Sequence, residues 1–93
     1  MIQRFACKET KKIYEGRRSR KLPGDIQGTA LRKLVMLEAA EELNDLKVPP
    51  GNQLEALKGD RKGQHSIRIN DQWRICFIWK KTGPDDVEIV DYH

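Results

Sequence analysis

One stretch decides the fold of this 93-residue chain: Ser66-Ile67-Arg68-Ile69-Asn70-Asp71-Gln72-Trp73-Arg74-Ile75. Apolar and polar residues alternate on both sides of Asn70-Asp71-Gln72, and the alternation continues through Phe77 and Trp79. This period of two predicts two antiparallel strands joined by a short polar loop. One face of the hairpin is apolar, and the other face carries arginines.

The loop length predicts which residues pair across the hairpin. If both apolar rows face the same way, a three-residue loop from Asn70 to Gln72 places Arg68 directly opposite Arg74. Like charges opposite each other are unfavourable, so the pair predicts an anion between the two guanidinium groups. That anion is either a phosphate or a carboxylate of the chain itself.

The segments before the hairpin predict helices. Lys8 to Glu15 gives about two helical turns ended by Gly16, and a longer helix runs from an N-cap at Asp25 to about Leu46. Short strands are predicted at Ile2 to Ala6 and Leu54 to Leu57. Together with a terminal strand from Val87, this order predicts the α+β class: one domain spanning residues 1–93, with a small antiparallel sheet packed on one face by two helices.

Composition favours an anionic partner. Eighteen Lys and Arg against fourteen Asp and Glu give a net charge of +4 and a pI near 9.2. The cations concentrate in Arg17-Arg18-Ser19-Arg20-Lys21, which is either a surface for RNA, DNA or an acidic protein, or a solvated loop. No segment reaches the length of a membrane span and no apolar leader is present, so a cytosolic protein is expected. Cys7 and Cys76 lack metal-ligand spacing and are interpreted as reduced packing residues.

The last three residues offer chemistry. Asp91, Tyr92 and His93 combine an orienting carboxylate, a hydroxyl donor and an imidazole that titrates near neutral pH. Alternation along a strand places Asp91 and His93 on one face and Tyr92 on the other. The ending is either a proton-transfer site or a core strand that simply ends in soluble residues.

Three segments, in this order, resemble the HigB-type toxins of the RelE superfamily: Gly51 to Arg61, Ser66 to Ile75, and Asp91-Tyr92-His93. The resemblance implies a fold similar to microbial ribonucleases and a toxin of a toxin-antitoxin pair that cuts mRNA in the ribosomal A site. It also implies attack of the ribose 2′-hydroxyl on the adjacent phosphate without a metal or cofactor. The implied partners are a HigA-like helix-turn-helix antitoxin, the 70S ribosome with its 16S rRNA, and mRNA, with DNA met only through the antitoxin complex.

The resemblance also suggests residue roles. His93 is the leading acid or base, Asp91 would orient it, Tyr92 would contact a phosphate oxygen or a base, and Arg74 would stabilise the transition state. Where some relatives carry a catalytic histidine this chain has Glu55, which is either the base or a surface residue paired with Lys58. The expected RNA and phosphate ligands are Lys58, Arg68, Arg61, Lys62, Arg17, Arg18, Arg20 and Lys21.

Two other functions stay open. The basic surface fits a non-catalytic module that binds RNA or protein, and the same chemistry fits a ribonuclease that needs no ribosome. His65 shares the parity of Ile67 and Ile69, which predicts a hydrogen-bonded strand-end residue on the apolar face rather than a substitute catalytic histidine.

Overall fold

The computed structural model describes residues 1–92, which form two α-helices followed by a four-stranded antiparallel sheet with strand order β1-β2-β3-β4. The predicted α+β class is confirmed. The elements are α1 (Lys8–Tyr14), α2 (Gly24–Ala39), β1 (Glu55–Ala56), β2 (His65–Arg68), β3 (Trp73–Lys80) and β4 (Gly83–Asp91), with 3-10 turns at Leu43–Lys47, Pro50–Asn52 and Gly59–Arg61.

The β2–β3 hairpin has the predicted register, with Arg68 opposite Arg74 and Ile67 opposite Ile75. The Asn70 side chain sets the turn, because its Oδ1 atom accepts hydrogen bonds from the backbone N–H groups of Gln72 (2.9 Å) and Trp73 (2.7 Å). This asparagine turn fixes the loop length, and the loop length determines which residues of β2 and β3 face the core and which face away from it.

Both helices pack on one face of the sheet. The apolar rows of β2, β3 and β4 meet the buried stripes of α1 and α2, and the side chains at the centre of this layer have almost no solvent exposure. Burying them removes apolar surface from water and is the main stabilising contribution to the fold. The core includes Ile13, Ile26, Ala30, Leu34, Leu37, Leu46, Ile67, Ile69, Ile75, Phe77, Val87 and Ile89.

The long helix is shorter than predicted. It ends at Ala39 rather than near Leu46, because Ala40 is extended and the Asp45 carboxylate accepts the backbone N–H groups of Glu41 and Glu42, both at 3.0 Å. At its start Pro23 occupies the N-cap, so Asp25 lies in the first turn instead of capping it. Within residues 1–92 no helix has the length and apolar character needed to cross a membrane.

The N-terminal strand prediction was wrong in detail. Residues 2–6 follow β4 in parallel but form a single bridge, Phe5 to Val87, because the bulge at Asp86 interrupts the regular edge of β4. Gly83 allows the close approach, since a Cβ atom there would lie 2.1 Å from the Met1 carbonyl oxygen. The strand predicted at Leu54 to Leu57 is reduced to the two residues of β1.

Asp85 is a buried carboxylate beside this bulge, and Lys80 Nζ lies 2.7 Å from its Oδ2 atom. The hydrogen bond from Lys80 lowers the pKa of Asp85 and outweighs burial, which acts in the opposite direction. An unfolded Asp has a pKa of about 3.9. The ionised group therefore stabilises the fold above that pH, and the contribution is lost as pH falls through the lower folded-state value.

We expect Asp85→Asn to lower the melting temperature at pH 7, with the difference from wild type closing below about pH 4. Thermal denaturation followed by circular dichroism across this pH range measures it. Glu41→Gln is the matched control, because that side chain is exposed. A difference that stays constant with pH would show that the Asp85 carboxylate is not the origin.

Candidate active site

The sheet face opposite the helices, called the open face below, carries the candidate site. Its central row crosses four strands, since Glu55 pairs with Ser66, Ser66 with Cys76 and Cys76 with Glu88. Ser66 and Cys76 are fully buried, whereas the glutamates at the ends of the row are exposed or half-buried. The next row contains Arg68, Arg74 and Val90.

Arg74 is held by two neutral acceptors. Its Nε atom donates to Ser66 Oγ at 2.7 Å, and its Nη2 atom donates to the Gln53 carbonyl oxygen at 2.6 Å. Within residues 1–92 no carboxylate forms an ion pair with this guanidinium group, and its orientation is fixed by the two neutral acceptors. A planar, oriented guanidinium group is well suited to bind a phosphate.

Arg68 differs from its cross-strand neighbour. Its Nη2 atom donates to Asp71 Oδ1 in the hairpin loop, so a carboxylate of the chain lies at Arg68, but among residues 1–92 no carboxylate bridges Arg68 and Arg74 in the way that the sequence predicts. The Asp71 side chain is 99% exposed, and exposed pairs of this kind contribute little to stability. A phosphate can therefore compete with Asp71 for Arg68 at small cost.

Four charged side chains influence the buried Cys76 thiol electrostatically. Burial raises the pKa of Cys76; Arg61 and Arg74 act to lower it, and Glu88 and Glu55 act to raise it. Arg61 Nη1 lies 3.6 Å from Glu88 Oε1 and donates to Gln64 Oε1 at 3.0 Å. Cys76 is thus a buried, free packing residue, as predicted.

Sequence reasoning missed Glu88. Its alternation with Val87 and Ile89 already assigns it to the polar face of the terminal strand. What the sequence does not give is the β3–β4 register, which brings Glu88 opposite Cys76 and near Arg61.

The terminal residues separate onto two faces. Asp91 pairs with Trp73, on the helical side, and its Oδ2 atom accepts a hydrogen bond from Gln72 Nε2 at 3.0 Å. The backbone N–H of Tyr92 donates to the Gln72 carbonyl oxygen at 2.8 Å, which extends the ladder by one residue. Strand alternation then assigns Tyr92 to the face of Arg74. His93, the predicted leading acid or base, lies outside the described residues.

The turn after β1 carries Lys58 and Lys62, both exposed, on either side of the 3-10 turn Gly59–Arg61. Arg61 turns back from this segment toward Glu88 on the open face. Arg61 therefore adds positive charge to the open face, and Lys58 and Lys62 add charge to the turn after β1.

The basic loop is on the other side of the molecule. Arg17, Arg18, Arg20 and Lys21 are exposed between α1 and α2, on the helical side of the sheet. Ser19 is 2% exposed and anchors the loop to both helices. Its Oγ atom donates to Glu9 Oε1 at 2.7 Å, and its backbone N–H donates to Gln27 Oε1 at 3.1 Å. In the described part of the chain, no hydrogen bond or ion pair joins this loop to Arg74.

His65 lies on the apolar side, as its parity predicts, with its ring 6.3 Å from that of Phe77. The expected hydrogen bond is absent, however. The Nδ1 atom is buried and finds no partner among residues 1–92. The imidazole is stacked on the Phe77 ring of the core, so His65 contributes packing while its Nδ1 atom forgoes a hydrogen bond among these residues.

The candidate site combines carboxylates with arginine side chains. Among the described residues, no group of three His, Cys, Asp or Glu side chains is close enough together to hold a metal ion. The open face instead offers an oriented guanidinium group between exposed carboxylates and a terminal tyrosine. Fold and site together define a small α+β protein whose open sheet face presents an oriented guanidinium group.

Comparison with known proteins identifies the family. A family model described as the RelE-like toxin of type II toxin-antitoxin system HigB matches residues 3–93. Toxin HigB-1 of Vibrio cholerae is 42% identical over 80 residues, covering 85% of this chain and 84% of that protein. Endoribonuclease HigB of Proteus vulgaris is 29% identical over 93 residues, the full length of both chains.

The chain belongs to the HigB-like toxins, which confirms the resemblance drawn from its motifs. It is a toxin of a toxin-antitoxin system, and membership of this class implies an antitoxin partner.

A substitution at Ser66 tests whether its hydrogen bond to Arg74 forms in solution. We expect Ser66→Ala to reduce the free energy of unfolding by about 1 kcal/mol, because one hydrogen bond is lost while the released Arg74 group regains water. Urea denaturation measures the change, with Thr82→Ala, in an exposed turn, as the control. Equal stability of the Ser66 variant and wild type would mean that the bond to Arg74 does not form in solution.

Proposed function

We propose that this toxin is an endoribonuclease that cleaves mRNA in the ribosomal A site and thereby stops translation and growth. The observation that carries the proposal is Arg74, which is oriented by Ser66 and Gln53 but has no ion-pair partner among residues 1–92. A cation held in this way stabilises the charge of a pentacovalent phosphate without reorganising. The name of the Proteus vulgaris relative supports the activity, and the match spans the whole chain.

The proposed reaction is an internal transfer. The 2′-hydroxyl oxygen attacks the neighbouring phosphorus atom and loses its proton to a base, while the bond from phosphorus to the 5′-oxygen breaks. An acid donates a proton to that leaving oxygen, so the products are a 2′,3′-cyclic phosphate and a 5′-hydroxyl. Side chains supply both proton transfers, and the proposal therefore requires no metal ion or cofactor.

Strand positions suggest how the roles are divided. Glu55 lies on β1 and Tyr92 at the end of β4, with Arg74 on the strand between β2 and β4. Attacking and leaving oxygens lie on opposite sides of the phosphorus in an in-line displacement, so groups on two sides of Arg74 suit base and acid. We assign phosphate contact to Tyr92, which strand alternation places on the face of Arg74. We assign the leading acid or base role to His93 and its orientation to Asp91; because Asp91 lies on the helical side at the end of β4, this role requires the chain end to twist toward Arg74. Glu55 is the candidate base on the β1 side.

The remaining cations fit binding to ribosomal RNA. Arg61 and Arg68 extend the positive surface around Arg74 on the open face, and Lys58 and Lys62 are exposed in the turn after β1. On the helical side, Arg17, Arg18, Arg20 and Lys21 form a second basic surface for 16S rRNA phosphates. We further propose a cytoplasmic site of action, a HigA-like helix-turn-helix antitoxin as partner, and one catalytic domain over residues 1–93.

The position of the basic loop favours one rival function. Because this loop and Arg74 lie on different sides of the sheet, the loop is placed to bind RNA or an acidic protein without any catalysis. A non-catalytic module would use that surface alone, and replacement of Arg74 would then leave growth inhibition intact.

Mapping the 5′ ends of a defined mRNA distinguishes these functions. We expect cuts only when translating ribosomes are present, and a loss of roughly 10²- to 10⁴-fold in His93→Gln if His93 transfers a proton. Cuts that persist in His93→Gln but disappear in Glu55→Gln or Tyr92→Phe would move the proton chemistry to those residues. Cleavage of naked RNA at a similar rate would identify a ribonuclease that needs no ribosome, and no cuts in any sample would favour the non-catalytic module.

Arg74→Lys keeps the charge but removes the planar fork that Ser66 and Gln53 orient. We expect kcat for mRNA cleavage to fall by roughly 10²-fold, as for loss of one oriented donor at a developing oxyanion. Arg32→Lys on the exposed face of α2 is the control, and we expect it to retain wild-type kcat. Equal rates for Arg74→Lys and wild type would remove Arg74 from the transition state.

A further inference from the structure

Lys33 is a buried lysine on the sheet side of α2. It is 8% exposed and lies on the helix face that also buries Ala30, Leu34 and Leu37. Burial lowers the pKa of Lys33, and the charges of Arg32 and Arg68 lower it further. A buried ammonium group is costly unless it is hydrogen-bonded, so its partner is informative.

That partner is the Asn52 side chain, which is itself fully buried. Lys33 Nζ donates to Asn52 Oδ1. The amide nitrogen of Asn52 donates to the carbonyl oxygens of Leu46 (3.1 Å) and Val48 (3.4 Å). One asparagine therefore binds helix α2 to the irregular segment that leads into β1.

Gln53, which follows Asn52, contributes its backbone carbonyl group to the site. Gln53 adopts the left-handed conformation, with φ 45° and ψ 54°, which is uncommon for a residue other than glycine. Its backbone N–H donates to the Pro50 carbonyl oxygen at 3.0 Å, and its own carbonyl oxygen accepts the Arg74 Nη2 hydrogen bond at 2.6 Å. An unusual backbone conformation thus supplies one of the two acceptors that orient Arg74.

We propose that Lys33 and Asn52 are positioning residues that hold the Gln53 carbonyl group, and through it the Arg74 guanidinium group, in place on the open face. The Lys33–Asn52 hydrogen bond lies among the core side chains of α2, and Asn52 and Gln53 are consecutive in the chain. Ser66 fixes only the Nε end of the guanidinium group, so the Nη2 end depends on Gln53. The role in cleavage rests on the proposed function, whereas the positioning of Arg74 does not.

The test replaces Lys33 with methionine, which keeps a long apolar stem but removes the donor to Asn52. With ribosomes programmed by a defined mRNA, we expect kcat to fall roughly 10- to 100-fold in Lys33→Met while KM stays within about twofold. Arg32→Met is the matched control, because this neighbour on the same helix is exposed and donates to Thr29 instead. We expect it to keep wild-type kcat.

A double variant separates positioning from general stability. If Lys33 acts through Arg74, Lys33→Met has no further effect on kcat in the Arg74→Lys background, because the two changes affect one interaction. Effects that multiply in Lys33→Met/Arg74→Lys would overturn the proposal. A lower melting temperature with unchanged kcat would do the same, because Lys33 would then be a structural residue only.

NMR spectroscopy of the isolated protein tests the positioning of Arg74 without an RNA-cleavage assay. The Arg74 Nε–H resonance in a ¹⁵N spectrum reports the orientation of the guanidinium group, and we expect it to shift and exchange faster with water in Lys33→Met but not in Arg32→Met. An unchanged resonance overturns the proposal, even if wild-type protein cuts no RNA. If Lys33→Met does not fold, Lys33→Leu, a helix-forming residue that also lacks a donor to Asn52, is measured in the same way and carries the same expectations.

Discussion

The asparagine turn between β2 and β3 is the constraint on which the rest of the structure depends. Asn70 accepts two backbone hydrogen bonds, and these fix a loop that sets Arg68 opposite Arg74. Side chains of a strand alternate, so a slip of one residue would turn Ile67 and Ile75 toward water and Arg74 toward the core. The hydrophobic core and the candidate site are therefore two consequences of the same register.

The sequence predicts what depends on local periodicity. Alternation from Ser66 to Trp79 was enough to predict the hairpin, its pairing and its apolar face, and all three are confirmed by the strand register and the core. The end of α2 was predicted wrongly because no local rule weighs the Asp45 carboxylate against continued helical hydrogen bonds. In both cases a short polar side chain that binds the backbone decides the outcome.

The candidate site was predictable only in part, because it depends on contacts between distant segments. Arg74 followed from the hairpin, whereas its acceptor Gln53 lies 21 positions away and acts through its backbone, which carries no side-chain pattern. The assignment of Glu88 to the site requires the β3–β4 register, which the sequence does not give. Lys33 looks like an ordinary helix lysine in the sequence, because its burial against Asn52 is visible only in the structure. The roles of His93, Asp91, Tyr92 and Glu55 rest on residue chemistry together with the family resemblance, and they stay predictions.

The N-terminal residues that follow β4 have a consequence for how copies of this chain meet. Gln3 to Ala6 hydrogen-bond along the outer edge of β4, with Gln3 N–H to Pro84 O at 2.8 Å and Ala6 N–H to Val87 O at 3.0 Å. The opposite edge strand, β1, has only two residues. Exposed, regular strand edges are where sheets of separate molecules join and aggregate. Over residues 1–92, the first half of the β4 edge is hydrogen-bonded to residues 3–6 and the opposite edge strand has only two residues, so the sheet presents little regular strand edge to a second molecule.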